Sequence, residues 1–161
     1  MTTQEYNICV QTHTDGIYRF ILKNIKDEFE AENIVQNTYE KLWIHKDKIE
    51  FKTAKPYLFK MAYHEMIDSI RKQKNRVSFD DIGEIAAEEE LYNNTMEVVK
   101  KAMNRLPEKQ KNVLLLRDYE GYDYRSIGKI MDLSDSQVKV YIFRARKTIK
   151  AYLQKLDVLV L

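Results

Sequence analysis

One spacing constrains this chain more than any other feature. Ile34, Val35, Thr38, Tyr39, Leu42 and Trp43 recur as adjacent pairs every four residues. Leu58, Phe59, Ala62, Tyr63, Met66, Ile67 and Ile70 repeat the pattern between Pro56 and Arg71. A period near 3.6 gathers such pairs into one stripe along a helix, whereas a strand would scatter them over both faces. The spacing predicts helices from Glu30 to His45 and from Pro56 to Arg71, with Pro56 in a first turn that needs no amide donor. An earlier helix is expected from Tyr6 to Lys26, with a break near Gly16.

The pattern resumes further on. Met96, Val99, Met103 and Leu106 form a stripe that stops at Pro107. Pro107 can open the next helix, which carries Val113, Leu114, Leu116 and Tyr119 and ends at Gly121. Asp123 suits the N-cap of a short helix from Tyr124 to Met131. Ser134 with Gln137 three residues later is a capping box for a last helix reaching about Leu156. No strand pattern and no fixed-period repeat appear, and four Gly and two Pro are too few for an all-β domain.

Charge divides the chain further. The net value of +2 is an average over unlike parts. Residues 1–76 hold 13 Lys/Arg against 11 Asp/Glu, residues 77–97 hold none against 7, and residues 98–161 hold 14 against 7. The middle stretch, with Asp80-Asp81 and Glu88-Glu89-Glu90, reads as a solvated spacer. The expected fold is all-α: two small helical lobes joined by an acidic linker, the second lobe containing a helix-turn-helix. The expected boundaries are 1–76, 77–95 and 96–161.

The last helix points to chemistry. At about 100° per residue, Val138, Ile142, Ala145, Ile149, Tyr152 and Leu156 fall within roughly 40° of one direction, which is the packing face. Val140, Phe143, Arg144 and Lys147 lie opposite, with Lys139, Arg146 and Lys150 at the boundary. A solvated basic face accounts for the cations but not for Val140 and Phe143. In a major groove, Arg can bond guanine O6 and N7 while Val or Phe touches a thymine methyl. Lys and Arg at the edges neutralise phosphates. The short helix, the turn at Asp132-Leu133-Ser134 and the basic helix make a helix-turn-helix held by Ile127, Ile130 and Leu133. Tyr124 and Arg125 are placed to clamp the DNA backbone.

In the first lobe, Lys60, His64, Asp68, Arg71 and Lys72 project away from an apolar stripe. Trp43, Phe51, Tyr57, Phe59 and Tyr63 cluster nearby. Basic groups interleaved with rings suit unpaired nucleic acid, whose bases stack on aromatic faces. Trp43 and Phe59 sit on the apolar stripes and are expected in the core. Tyr63 and Phe51 are open between core and surface.

Three segments in order resemble the extracytoplasmic-function sigma factors, small two-lobed members of the bacterial sigma-70 family, from about Asp15 to Tyr152. Glu30-Ala-Glu-Asn-Ile-Val-Gln-Asn-Thr-Tyr-Glu-Lys-Leu-Trp43 is similar to the segment that grips the clamp helices of RNA polymerase. Lys55-Pro-Tyr-Leu-Phe-Lys-Met-Ala-Tyr-His-Glu-Met-Ile-Asp-Ser-Ile-Arg71-Lys72 resembles the segment that melts and reads the −10 promoter element. Leu106-Pro-Glu-Lys-Gln-Lys-Asn-Val-Leu-Leu-Leu-Arg-Asp-Tyr-Glu-Gly-Tyr122, with the helix-turn-helix after it, resembles the lobe that reads the −35 element.

The resemblance implies a protein that binds core RNA polymerase and directs it to a subset of promoters. It places Lys139, Val140, Phe143 and Arg144 at −35 bases, and Arg146 and Lys147 near the backbone, beside Tyr124 and Arg125 of the helix-turn-helix reading. Lys60, Tyr63, His64, Arg71 and Lys72 match positions near the unpaired −10 strand. The loop from His45 to Lys55 matches a pocket for a flipped base. Glu32, Asn33, Gln36, Asn37 and Glu40 match the polymerase-binding face. Promoter DNA, duplex and single-stranded, and an anti-sigma factor that masks both lobes are the other implied partners. Asn33 and Asn37 stand where the family usually has acids, and His64 where it often has Asn.

Enzymatic activity, a cofactor and a metal are not expected. His13, His45 and His64 make no ligand spacing with acids. There is no Gly-rich phosphate loop, and the one cysteine, Cys9, permits no internal disulfide. No apolar run approaches the roughly twenty residues that span a bilayer, and residues 1–15 lack the pattern of a signal peptide. A cytoplasmic protein without membrane insertion is expected. The apolar tail from Leu156 to Leu161 either packs on the second lobe or docks a partner. Two rivals remain. A helix-turn-helix regulator acting without core polymerase has no need of a strand-separating first lobe. A helical module that binds an acidic protein leaves Val140 and Phe143 unexplained.

Overall fold

The structure, a computed structural model, describes residues 1–77 and 95–160. All regular structure among them is helical. The acidic run expected to join the lobes falls largely at 78–94, outside the described residues. The chain divides into two compact units, one built mainly on the first three helices and the other mainly on the last four.

In the first unit, α1 spans Thr3–Ile25. Thr2 and Glu5 form a reciprocal capping box: the Glu5 amide donates to Thr2 Oγ1 at 3.1 Å and the Thr2 amide to Glu5 Oε2 at 2.8 Å. The break expected near Gly16 does not occur, and α1 runs through it unbroken. One helical Gly costs about 1 kcal/mol. Full burial of Ile17, Phe20 and Ile21 just after it outweighs that, at roughly 1.5–3 kcal/mol each. The helix ends at Lys26, a left-handed C-cap with φ of 60°.

Helix α2 spans Glu28–His45, and Asp27 caps it by accepting the amides of Phe29 and Glu30. Two 3₁₀ turns, Lys46–Lys48 and Phe51–Thr53, lead into α3, Ala54–Val77. Pro56 lies in the first turn of α3, where its missing N–H has no partner to lose. The three helices pack pairwise. Their stripes meet in a core with Leu42, Leu58, Phe59, Ala62 and Met66. Phe20 and Phe59 face each other across it with ring centroids 5.9 Å apart. Tyr39 donates its hydroxyl to the Cys9 carbonyl at 3.3 Å, and burial pushes that hydroxyl up to about 12. Trp43 departs from expectation. It is 45% exposed, because it lies near the end of α2, where only the Tyr6 ring edge at 4.9 Å and the Lys46 side chain at 5.0 Å partly cover it.

The second unit starts with α4, Thr95–Asn104, followed by α5, Glu108–Leu114, after Pro107. Helix α5 continues into a π-helical turn, Leu115–Tyr119. The periodicity gave no sign of this turn. Val113, Leu114, Leu115 and Leu116 are all buried. Four consecutive apolar residues overfill one face of a regular helix. The wider π turn lets them point into the core from a broader arc. Gly121, with φ of 74°, turns the chain into α6, Tyr124–Met131. Asp123 caps α6 by accepting the Ser126 amide at 2.7 Å, a bond that holds its carboxyl below the usual range. The capping box at Ser134 and Gln137 forms with bonds of 2.9 and 3.1 Å and opens α7, Asp135–Val160.

Candidate nucleic-acid interface

Helix α7 is set by its inner face. Val138, Ile142 and Ala145 are buried, Ile149 and Tyr152 half-buried. Ile127 and Ile130 of α6 are fully buried and Leu133 of the turn is half-buried. The turn between α6 and α7 is tight. Asp132 takes a left-handed φ of 57°, and the Leu133 amide donates to the Gly128 carbonyl at 2.9 Å. This fixes the direction in which α7 leaves the turn, and with it the outward face.

That face carries Lys139, Val140, Phe143, Arg144 and Lys147, all exposed. Val140 is 43% and Phe143 68% exposed, among cations and away from the core. Three of the four expected backbone contacts have intramolecular partners. The Arg146 guanidinium donates to Asp118 Oδ1 at 2.9 Å, and Asp118 lies in the π turn. The Arg117 guanidinium sits 5.0 Å over the Tyr124 ring and also donates to the Tyr122 carbonyl at 2.9 Å. The positive charge of Arg125 acts on the Asp123 carboxylate at the cap of α6 and favours its ionised form. Asp118 and Arg117 were not among the residues singled out in the sequence. They lie 28 and 7 positions from the groups they hold, and only the fold brings them there. Arg146 also borders a cleft of about 530 Å³ floored by Val99, Met103, Leu114, Ile149 and Leu153.

In the first unit, α3 aligns Lys60, His64 and Arg71 within roughly 40°, a strip about 16 Å long. His64, Arg71 and Lys72 are exposed and Lys60 is half-buried. Tyr63 is not a surface ring. It is 7% exposed, with its ring centroid 5.9 Å from that of His64. It lies one position off the strip, on the side of the core, so it backs His64 rather than offering a stacking face. Between the 3₁₀ turns, buried Ile49 pins the loop while Phe51 stays exposed. The Lys46 ammonium lies 5.0 Å over the Trp43 ring.

On α2, Glu32, Gln36, Asn37 and Glu40 are exposed and Asn33 is half-buried, all on the side away from the core. Glu30 is drawn toward α3, where the Ser69 hydroxyl donates to its Oε1 at 2.9 Å. Among the described residues no group of three or more His, Cys, Asp or Glu side chains is disposed to hold a metal. No described helix is long and apolar enough to cross a membrane.

Comparison with known proteins agrees with this architecture. The model of sigma-70 region 2 matches residues 9–76, and that of sigma-70 region 4 matches residues 96–149. The ECF RNA polymerase sigma factor SigM of Bacillus subtilis is 31% identical over 147 residues, which cover 88% of this chain and 90% of SigM. RNA polymerase sigma factor SigV of the same organism is 28% identical, over 92% of this chain and 91% of SigV. Among solved structures, the sigma factor RpoE, in complex with the anti-sigma factor NepR from Bartonella quintana, superposes with a TM-score of 0.78. It is 23% identical and the match covers 94% of this chain and 98% of RpoE. CnrH, in complex with the cytosolic domain of CnrY, gives a TM-score of 0.71 at 17% identity, over 96% of this chain and 90% of that one. The chain belongs to the extracytoplasmic-function group of the sigma-70 family, the regulatory subunits of promoter-specific transcription.

Proposed function

We propose that this sigma factor divides promoter recognition between its lobes. Residues 96–161 read the −35 duplex. Residues 1–76 bind core RNA polymerase through α2 and hold the melted −10 strand along α3. Residues 77–95 tether the two. The observation that carries this reading is the exposed pair Val140 and Phe143 beside Lys139 and Arg144 on α7. Leaving two large apolar groups in water contributes nothing to the fold, whereas in a major groove they meet thymine methyls while the cations meet guanine and phosphate.

The first lobe supplies the remaining steps. Lys60 and Arg71, with His64 between them and Lys72 beside them, give a basic strip that matches an unpaired backbone. Phe51, exposed on the loop after α2, offers a ring to a base drawn from the stack. Such extrusion costs a few kcal/mol, which stacking and phosphate contacts offset. The chain itself contributes no catalytic group and needs no cofactor; phosphodiester chemistry belongs to the polymerase. The complex of RpoE with the anti-sigma factor NepR supports an anti-sigma partner for this chain as well. A cytoplasmic setting follows from the partners.

The test is transcription. Purified chain is mixed with sigma-free core polymerase and a library of duplex promoters, and the transcripts are sequenced. Initiation from a subset that shares two short elements is expected. No transcript above core polymerase alone from any template would overturn the reading. So would tight duplex binding without an effect on polymerase.

A further inference from the structure

Phe29 is 74% exposed, the most exposed large apolar side chain among the described residues; Phe143, on the DNA-reading face, comes next. Phe29 is also fixed in place. It stands in the first turn of α2, and its amide donates to the Asp27 cap at 3.0 Å. A scattered exposed apolar residue is ordinary, but this one extends a row. With Gln36 at zero and about 100° per residue, Phe29, Glu32, Asn33, Gln36 and Glu40 fall within roughly 60° of one another's mean direction. Phe29 begins that row about 10 Å from Gln36.

The row is poor in charge at its middle, where Asn33 and Gln36 are amides and Asn37 beside them is another. Acids crowd its start instead: Asp27, Glu28 and Glu32 lie within three residues of Phe29, while Glu30 turns to Ser69 on α3. That setting repels a phosphate backbone, so the partner is not DNA. It equally disfavours a second copy of the same face, which would set acid against acid. What fits is a protein surface with an apolar socket rimmed by basic groups. Trp43 and Ile44, at the other end of α2, are also exposed. They adjoin the turn assigned above to the promoter base, which leaves Phe29 as the apolar group on the polymerase side.

We propose that Phe29 is an apolar anchor for core RNA polymerase, seated in a socket next to the surface that receives Gln36 and Glu40. The inference rests on the assignment of α2 to polymerase binding. An aromatic anchor buried at an interface carries a disproportionate share of affinity. At this end of α2 it supplies what the amides at 33 and 37 do not.

The test is titration of fluorescently labelled chain with sigma-free core polymerase at several salt concentrations. Phe29→Ser is expected to weaken binding about tenfold or more. Phe29→Leu should stay within about threefold of the parent, because it keeps most of the apolar surface. The salt dependence of Phe29→Ser should run parallel to the parent's, since no charge is lost. That of Glu40→Gln should be shallower. The melting temperature of Phe29→Ser should match the parent's, because the ring is outside the core. Parent-like binding by Phe29→Ser would overturn the inference and leave the proposed function intact. Failure of the parent chain itself to bind core polymerase would overturn both. A parent dimer in sedimentation that Phe29→Ser abolishes would assign the ring to self-association and also overturn it.

Discussion

Gly128 and Leu133 approach each other so closely that a Cβ at position 128 would stand 2.5 Å from the Leu133 carbonyl oxygen. The Cβ position is set by the backbone and the atom it would meet is a backbone carbonyl, so no rotamer can relieve the clash. An Ala in a helix normally gains about 1 kcal/mol over Gly. Here the clash reverses the sign, since forcing atoms into a packed site costs typically about 1–3 kcal/mol. Gly128→Ala is expected to lower the urea midpoint of the second unit. By opening the turn before α7, it should also weaken −35 duplex binding. A midpoint equal to or above the parent's would show that the turn yields without cost.

The end of α1 makes the opposite case. Lys26 holds a left-handed φ of 60° while its amide donates to the Leu22 carbonyl at 2.8 Å. A side chain in that conformation costs roughly 1–2 kcal/mol, which Gly avoids. Gly is also freer in the unfolded chain, which takes back about 0.4–1 kcal/mol. Lys26→Gly should therefore stabilise modestly, and Lys26→Val should destabilise, because a β-branched residue tolerates positive φ least. The order Gly, Lys, Val in chemical denaturation checks this; Val at or above Lys would refute it.

The helices were legible in the sequence because their stripes are regular and their caps local. Asp123, Ser134 and Gln137 lie within three residues of the amides they satisfy. What was not legible depends on long-range packing. The passage of α1 through Gly16 is decided by what Ile17 and Phe20 meet on other helices. Trp43 follows the stripe but sits where the stripe runs out of partners, so periodicity placed it inside and the fold leaves it half in water. Tyr63 was left open between core and surface by its spacing, and the fold buries it. The outward face of α7 was readable from angles alone, since its inner face is uninterrupted. The pairing of Arg146 with Asp118 was not, because it depends on a π turn 28 positions away.

His13 gives the fold a dependence on pH. Burial, and then the nearby Lys55 cation, push its imidazole below the ordinary value. The unfolded chain, with a value of about 6.5, binds the proton more readily than the folded chain does. Stability is therefore full above that value and declines as pH falls through it. Lowering the pH from about 7.5 to about 5.5 should reduce the melting temperature more in the parent than in His13→Gln, which has no proton to take up. Equal losses in both would show that His13 is not responsible. The carboxyl of Asp123 does not confuse the comparison, because its own shift acts at lower pH.

Arg144 and Lys147 separate base reading from phosphate contact on one helix face. Both are exposed, and they lie one turn apart on α7. Arg can form a bidentate pair with a guanine edge, whereas Lys acts on the backbone as a point charge. Arg144→Ala is expected to lose about 1–3 kcal/mol on the preferred −35 sequence and much less on others, relaxing discrimination at one position. Lys147→Ala should weaken all sequences alike and reduce the salt slope by about one counterion. Arg146 is a poorer probe, because its substitution also releases Asp118 from a 2.9 Å ion pair. Competition binding across a −35 library at two salt concentrations measures both effects. Uniform losses for both variants would mean that Arg144 contacts phosphate and that the base-reading face lies elsewhere on α7.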